Sequence, residues 1–157
     1  MNQPTDDRPF PSLPVIAITL GDPAGIGPEI ACKALAEPSV QACCHPVLIG
    51  SRQVIERVAA SLALPVPARI VDVEPPGFAA CAAVAIEAAI SGTRGGTYAA
   101  MVTNPLSKTA IQAAGVRFAG HTEWLAARCG VVGETMLMYH DELAVALATC
   151  HQSLMSV

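Results

Sequence analysis

The chain has 157 residues, enough for one ordinary domain with a sizeable core but roughly half of what a two-lobed enzyme of common size needs. Hydrophobic residues make up 52% of it and charged residues 14%, with a mean hydropathy of +0.46, which excludes a disordered chain and fits an Ala- and Val-rich α/β core. A formal net charge of -4 without any Lys/Arg cluster excludes the electrostatic footprint of a nucleic-acid or anionic-membrane binder, so small molecules are the expected partners.

Residues 1–12 are polar and hold three prolines, and they lack the basic start and apolar core of a signal peptide. They read as a disordered leader, with the cytoplasm as the default location. Pro14 to Leu20, PVIAITL, is a short β-branched run bounded by Pro and Gly and predicts a strand buried on both faces. A helix follows at once: Pro28 suits its first position, Glu29 complements its positive end, and Pro38 stops it. HPVLIG predicts the second strand, and SRQVIERVAASLAL a helix with Val54, Val58 and Leu62 on one side. ARIVDV is a third, weaker strand, followed by an alanine-rich helix around Ala79 to Ser91. The apolar run inside that helix is too short for a membrane span and contains Glu87.

TYAAMV predicts another buried strand, then the loop TNP and a helix over Ser107 to Ala114 closed by Gly115. HTEWLAARCG is a short helix entered through His121 or Thr122 and stopped at Gly130, and TMLMYH with LAVALATC predicts a hairpin turning over Asp141 and Glu142. Strand and helix alternation over the first two thirds argues for a largely parallel sheet.

The polar stretches cluster at strand ends: GDPAGIGPE, TNPLSK and CHQS. In open parallel sheets the ligand crevice lies outside the carboxyl ends of the strands, so these three loops are candidates to face one site. The first is neither a Rossmann fingerprint nor a Walker A loop, because the third glycine and the Lys-Ser/Thr pair are both absent. Gly21, Gly25 and Gly27 either let the backbone approach a ligand, with Asp22 taking a polar hydrogen or a cation, or simply build a tight turn that Asp22 caps. Thr103, Asn104, Ser107 and Lys108 suit a phosphate or carboxylate, although an exposed first-turn lysine is more often a solvated charge. Six cysteines show no metal-site spacing, and five lie in or beside apolar segments as expected of buried free thiols. His45 reads as structural and His140 as part of the hairpin turn. His121 sits where a ring nitrogen and the Thr122 hydroxyl meet an anion, and His151 follows an apolar strand, a position open to a metal ligand or to an ordinary surface histidine.

Taken in order, ITLGDPAGIGPEI, VTNPLSKTAIQAAGVRFAGHTEWLA and LAVALATCHQSL resemble the 4-hydroxythreonine-4-phosphate dehydrogenase family of vitamin B6 biosynthesis, from about Pro14 to the last residue. The resemblance implies an α/β/α fold of the isocitrate/isopropylmalate dehydrogenase type, truncated to about its N-terminal half. It further implies a partial first lobe over 13–115 and the start of a second, dimerisation lobe over 116–157 of a homodimer. It gives Gly21, Asp22, Gly25 and Gly27 to an active-site loop, His121 and Thr122 to the grip on a phosphorylated substrate, and Lys108 to a basic position whose role is less defined. His151 is implied as the first of three histidines holding a divalent zinc, magnesium or cobalt ion, with NAD or NADP accepting hydride. A paralogous activity on phosphorylated threonate or erythronate shares these motifs. The family's second and third metal histidines lie in motifs beyond Val157; YHDE at Tyr139 to Glu142 mimics one of them but precedes His151. Residues 72–80 are shorter than the family's corresponding loop. The 157 residues alone are therefore expected to be inactive, a phosphate-binding or dimerisation piece.

Overall fold

The computed structural model describes residues 13–73, 78–113, 115, 120–149 and 153–156. The chain divides into two compact units, Met1–Arg117 and Phe118–Val157. Cys150, His151 and residues 1–12 lie outside the described residues.

In the first unit the elements run β1 (Val15–Thr19), α1 (Gly27–Ala36), α2 (Pro38–Cys43), β2 (His45–Gly50), α3 (Arg52–Ser61), β3 (Ile70–Asp72), α4 (Phe78–Arg94), β4 (Ala100–Thr103) and α5 (Lys108–Ala113). The four strands form one parallel sheet in the order β3-β2-β1-β4. The expected α/β architecture is therefore present. Pro38 does end α1, as its ring forbids continuation, but the same fixed φ starts the short helix α2, which the residue pattern did not announce.

Strand alternation sorts the core into two layers. Ile18, Leu20, Leu48 and Ile70 point to one face, where α1 supplies Ala31, Cys32 and Leu35, and α3 supplies Val54, Ile55 and Ala59. Val15, Ala17, Val47, Ile49 and Met101 point to the other, where Ala85, Ala88 and Ala89 of α4 pack. Small alanines let α4 lie close to the sheet, and it touches β1, β2 and β4. Full burial of a side chain such as Leu48 or Ile55 contributes about 1.5–3 kcal/mol. Asp72, just at the end of β3, reaches back across the sheet edge: its Oδ1 accepts the backbone N–H of Arg52 at 2.8 Å and caps α3, whose own Ser51 makes no side-chain cap.

Two strand expectations need correcting. The composition of TYAAMV predicts a buried strand, yet Val102 of β4 is 49% exposed, because among the described residues β4 pairs with β1 alone and lies at the edge of the sheet. In the second unit, α6 (His121–Cys129) precedes β5 (Leu137–His140) and β6 (Leu143–Ala146), an antiparallel ribbon, and a short 3-10 turn covers Leu154–Ser156. β6 stops at Ala146 instead of running on through Thr149, and both strands are exposed along their whole length, so the strand before His151 is not a buried one. The hairpin turn over Asp141 and Glu142 is as expected, with Glu142 N–H directed at His140 Nδ1 at 3.5 Å.

Leu48→Ala, at a site with 0% exposure, is expected to lower unfolding free energy by about 3 kcal/mol, whereas Val132→Ala, at 99% exposure, should stay within about 0.5 kcal/mol. Urea denaturation followed by circular dichroism measures both.

Candidate functional site

The strand order places a topological switch point in the first unit. From β1 the chain moves outward through β2 to β3, then returns to add β4 on the other side of β1. Loops leaving β1 and β4 in a parallel sheet therefore diverge from neighbouring strand ends, which opens a crevice outside their carboxyl termini. Residues 20–26 and 104–107 are those two loops, so two of the three polar stretches singled out in the sequence meet there. The third, Cys150–Ser153, begins outside the described residues.

The glycines of the first loop are there for unequal reasons. Gly21 has φ +75°, and a Cβ on it would overlap Pro105 O, so the position is closed to other residues twice over. Gly27 needs no unusual φ, but a Cβ there would overlap Leu20 O and press on Asn104 at 3.4 Å. At Gly25 the atoms nearest to an added Cβ belong to Asp22, its Cβ at 3.3 Å and its O at 3.4 Å. Two of the three are thus required because protein backbone approaches protein backbone. Asp22 N–H donates to Pro105 O at 3.0 Å, which ties the two loops together across the switch point. The Asp22 carboxylate accepts from Ala24 N–H at 2.9 Å while Gly25 N–H donates to Asp22 O at 3.0 Å, an Asx turn. One Asp22 oxygen is therefore committed to shaping the loop.

Asn104 is 8% exposed and directs Nδ2 at Gly27 O over 3.4 Å, joining the β4 loop to the start of α1. That helix start carries no side-chain cap, and Ile26 at the N-cap is 57% exposed, but Gly27 and Pro28 at its first two positions are buried and Pro28 has no N–H to donate. Glu29 in the first turn pairs with Lys33 at 2.6 Å on the exposed face. Lys108 opens α5 and is exposed, with no ion pair among the described residues.

Thr19 has, within PVIAITL, the look of an ordinary strand position. It ends β1, is 0% exposed, sits opposite Thr103 in the β1–β4 register, and its Oγ1 has no hydrogen-bond partner among the described residues. A hydroxyl at the carboxyl end of an otherwise apolar strand was the available signal.

In the second unit His121 and Thr122 are the first two residues of α6, following an extended Gly120. Both are half-buried, and Glu123 beside them complements the positive end of the helix. Gly130, at φ +68°, terminates α6 in the left-handed conformation, as its position predicted. His45 lies at the opposite, amino-terminal end of the sheet, where it lines a cavity of about 70 Å³ with Leu35, Gln41 and Arg69. Its backbone N–H bonds to Pro14 O at 2.8 Å, in keeping with a structural role. Of the cysteines, Cys32, Cys44 and Cys81 are buried as expected, but Cys43 and Cys129 are exposed, since each is the last residue of a short helix facing solvent. Burial pushes the Cys32 thiol above its ordinary pKa, which keeps it a neutral packing group. Among the described residues no three His, Cys, Asp or Glu side chains form a metal-holding group, and no helix is long and apolar enough to cross a membrane.

Comparison with known proteins bears on this geometry. The profile of the family described as pyridoxal phosphate biosynthetic protein PdxA matches residues 42–157. A 4-hydroxythreonine-4-phosphate dehydrogenase of Aromatoleum aromaticum is 36% identical over 93% of this chain and 50% of its own length. A D-threonate 4-phosphate dehydrogenase of Cupriavidus necator is 35% identical over 91% of this chain and 51% of its own. The crystal structure of a 4-hydroxythreonine-4-phosphate dehydrogenase from Burkholderia phymatum superimposes with a TM-score of 0.83 at 30% identity, covering 92% of this chain and 52% of that one. The chain spans about half the length of the curated relatives it matches. The fold is that of these dehydrogenases, the isocitrate/isopropylmalate dehydrogenase type expected from the motifs.

Gly21→Ala is expected to cost at least ~2 kcal/mol, from the left-handed φ and the overlap with Pro105, while Gly25→Ala stays within about 0.5 kcal/mol. Equal losses in denaturant titrations would disprove the distinction. Thr19→Val keeps the shape of the side chain and removes an enclosed unpaired hydroxyl, so stability should rise by about 1 kcal/mol; a fall of that size would mean that the hydroxyl is bonded in solution.

Proposed function

This chain belongs to the pyridoxal phosphate biosynthetic protein PdxA family, and we propose that it forms part of an oxidoreductase acting on 4-phosphohydroxy-L-threonine in vitamin B6 synthesis. The reaction is oxidation of the substrate's secondary alcohol to a 2-amino-3-oxo acid, which loses carbon dioxide to leave 3-amino-2-oxopropyl phosphate. The observation that supports this reading most directly is the GHT sequence at the start of α6, where His121 and Thr122 stand at an N-terminus whose dipole favours an anion. There the imidazole and the hydroxyl donate to the substrate's anionic groups and orient the alcohol carbon. Lys108 adds a cation at the start of α5.

The loop of Gly21, Asp22, Gly25 and Gly27, fastened to the β4 loop, forms the active-site loop in this reading. NAD or NADP is the hydride acceptor in this reading. What a divalent zinc, magnesium or cobalt ion supplies when bound is Lewis-acid polarisation of the hydroxyl, and His151 is this chain's donor to it. The second unit is proposed as the start of the lobe through which two copies associate. The relative named for D-threonate 4-phosphate supports a second reading, in which the alcohol oxidised belongs to a phosphorylated threonate. Assay of both substrates with a protein of the relatives' full length carrying this chain separates the two.

In that full-length protein, His121→Ala is expected to raise KM for the phosphorylated substrate at least tenfold (about 1.4 kcal/mol) with the fold intact by circular dichroism. An unchanged KM and turnover would remove His121 from the substrate grip. His151→Ala should abolish both metal-dependent turnover and bound divalent ion measured by plasma mass spectrometry, while His140→Ala leaves both unchanged, since His140 flanks the hairpin turn. The opposite pattern would transfer the ligand role to His140.

A further inference from the structure

Cys43 and Cys44 are neighbours in sequence, and neither has a part in the proposed reaction. Adjacent side chains normally diverge, by about 100° in a helix and to opposite faces in a strand. Here the chain changes from helix to strand between them: Cys43 is the last residue of α2, and Cys44 is extended, with φ -156° and ψ 168°. That change brings both sulfurs to one acceptor. Cys43 Sγ donates to Val40 O at 3.3 Å and Cys44 Sγ to the same oxygen at 3.5 Å. Burial, and after it the neighbouring Cys43 thiol, holds the Cys44 thiol above its ordinary pKa. Cys43 is exposed and Cys44 is 9% exposed, at the amino-terminal end of β2 and so at the end of the sheet away from the switch point.

We propose that Cys43 and Cys44 form a vicinal dithiol site that binds a soft, thiophilic metalloid, with trivalent arsenic as the fitting case. Two converging sulfurs select a soft acceptor. A zinc-type site needs four donors, and no group of three exists among the described residues, so an ion that brings its own third substituent is favoured over one that needs a protein cage. A direct disulfide is disfavoured as well. Adjacent Cα atoms are about 3.8 Å apart across a trans peptide, less than the roughly 4.4–6.8 Å that an unstrained disulfide spans. One large bridging atom relieves that strain by separating the sulfurs. With an organoarsenic(III) oxide the step balances without redox change: two As–S bonds form, the arsenic–oxygen bond breaks, and both thiol protons leave with the oxygen as water.

The test incubates the reduced 157-residue chain with one equivalent of phenylarsine oxide, followed by intact mass spectrometry and peptide mapping. The expected result is one phenylarsenic group per chain on the peptide containing residues 43 and 44. It should resist excess 2-mercaptoethanol, be removed by 2,3-dimercaptopropanol, and protect both thiols from iodoacetamide. Cys43→Ser and Cys44→Ser should each weaken retention at least tenfold, and Cys129→Ser, which alters another exposed thiol, should leave it unchanged. Circular dichroism checks that each variant is folded. Retention in either single variant, removal by the monothiol, or ready closure of the pair to a disulfide by oxidised glutathione in place of the arsenic adduct would overturn the assignment.

Discussion

A backbone hydrogen bond, from Asp22 N–H to Pro105 O, ties together the loop that follows β1 and the loop that follows β4. It forms only if the chain after β1 approaches the chain after β4 without a side chain between them, and Gly21 and Gly27 are what permit that approach. Asn104 adds a bond from the β4 loop to the start of α1. The two loops at the switch point are thus held backbone against backbone. A site built this way keeps its shape when the side chains facing it change, which suits a fold whose relatives bear names for different phosphorylated substrates.

The layers beneath that crevice are unequal, and the inequality follows from side-chain size. On one face Leu, Ile and Val from α1 and α3 fill a deep cluster; on the other, α4 offers alanines and lies close to the strands. The second unit is different in kind. Between residues 120 and 149 only Ala126 is buried, and its β5–β6 ribbon carries Leu137, Met138, Tyr139 and Leu143 in the open. A two-stranded ribbon is marginal by itself in water, because neither face has a layer to pack on. The burial that makes the first unit a domain has no counterpart among the described residues of the second.

The residue order was most legible where local chemistry decides conformation. HPVLIG is β2 residue for residue, Gly130 takes the left-handed cap of α6, and Pro38 stops α1, each for a reason contained within a few neighbouring residues. It was least legible where a distant partner decides. TYAAMV has the composition of a buried strand, but β4 is half-covered because it lies at an edge, and edge position is a property of the sheet. LAVALATC likewise has a buried strand's composition, while β6 is short and exposed, with no layer of described residues from its unit stacked on it. Cys43 and Cys44 looked like a pair of inert apolar thiols; only the change from helix to strand between them aims both sulfurs at Val40 O.

The candidate site divides along the same line. That GDPAGIGPE and TNPLSK follow strands, and that His121 and Thr122 begin a helix, was readable from punctuation and periodicity, since turns, caps and strand ends are local. Which loops adjoin was not readable, because it depends on β4 returning to the far side of β1, and no residue within either loop encodes that order. The same tertiary placement reassigns the glycines: residue order raised a ligand as the reason for Gly21 and Gly27, whereas packing against Pro105 and Leu20 already requires them. It also exposes Thr19, whose hydroxyl is unremarkable within VIAIT and becomes enclosed, without a partner among the described residues, only once distant segments pack around it. Local chemistry determines the elements and their ends, but burial and adjacency come from how distant segments pack, and those alone decide which polar groups share a site.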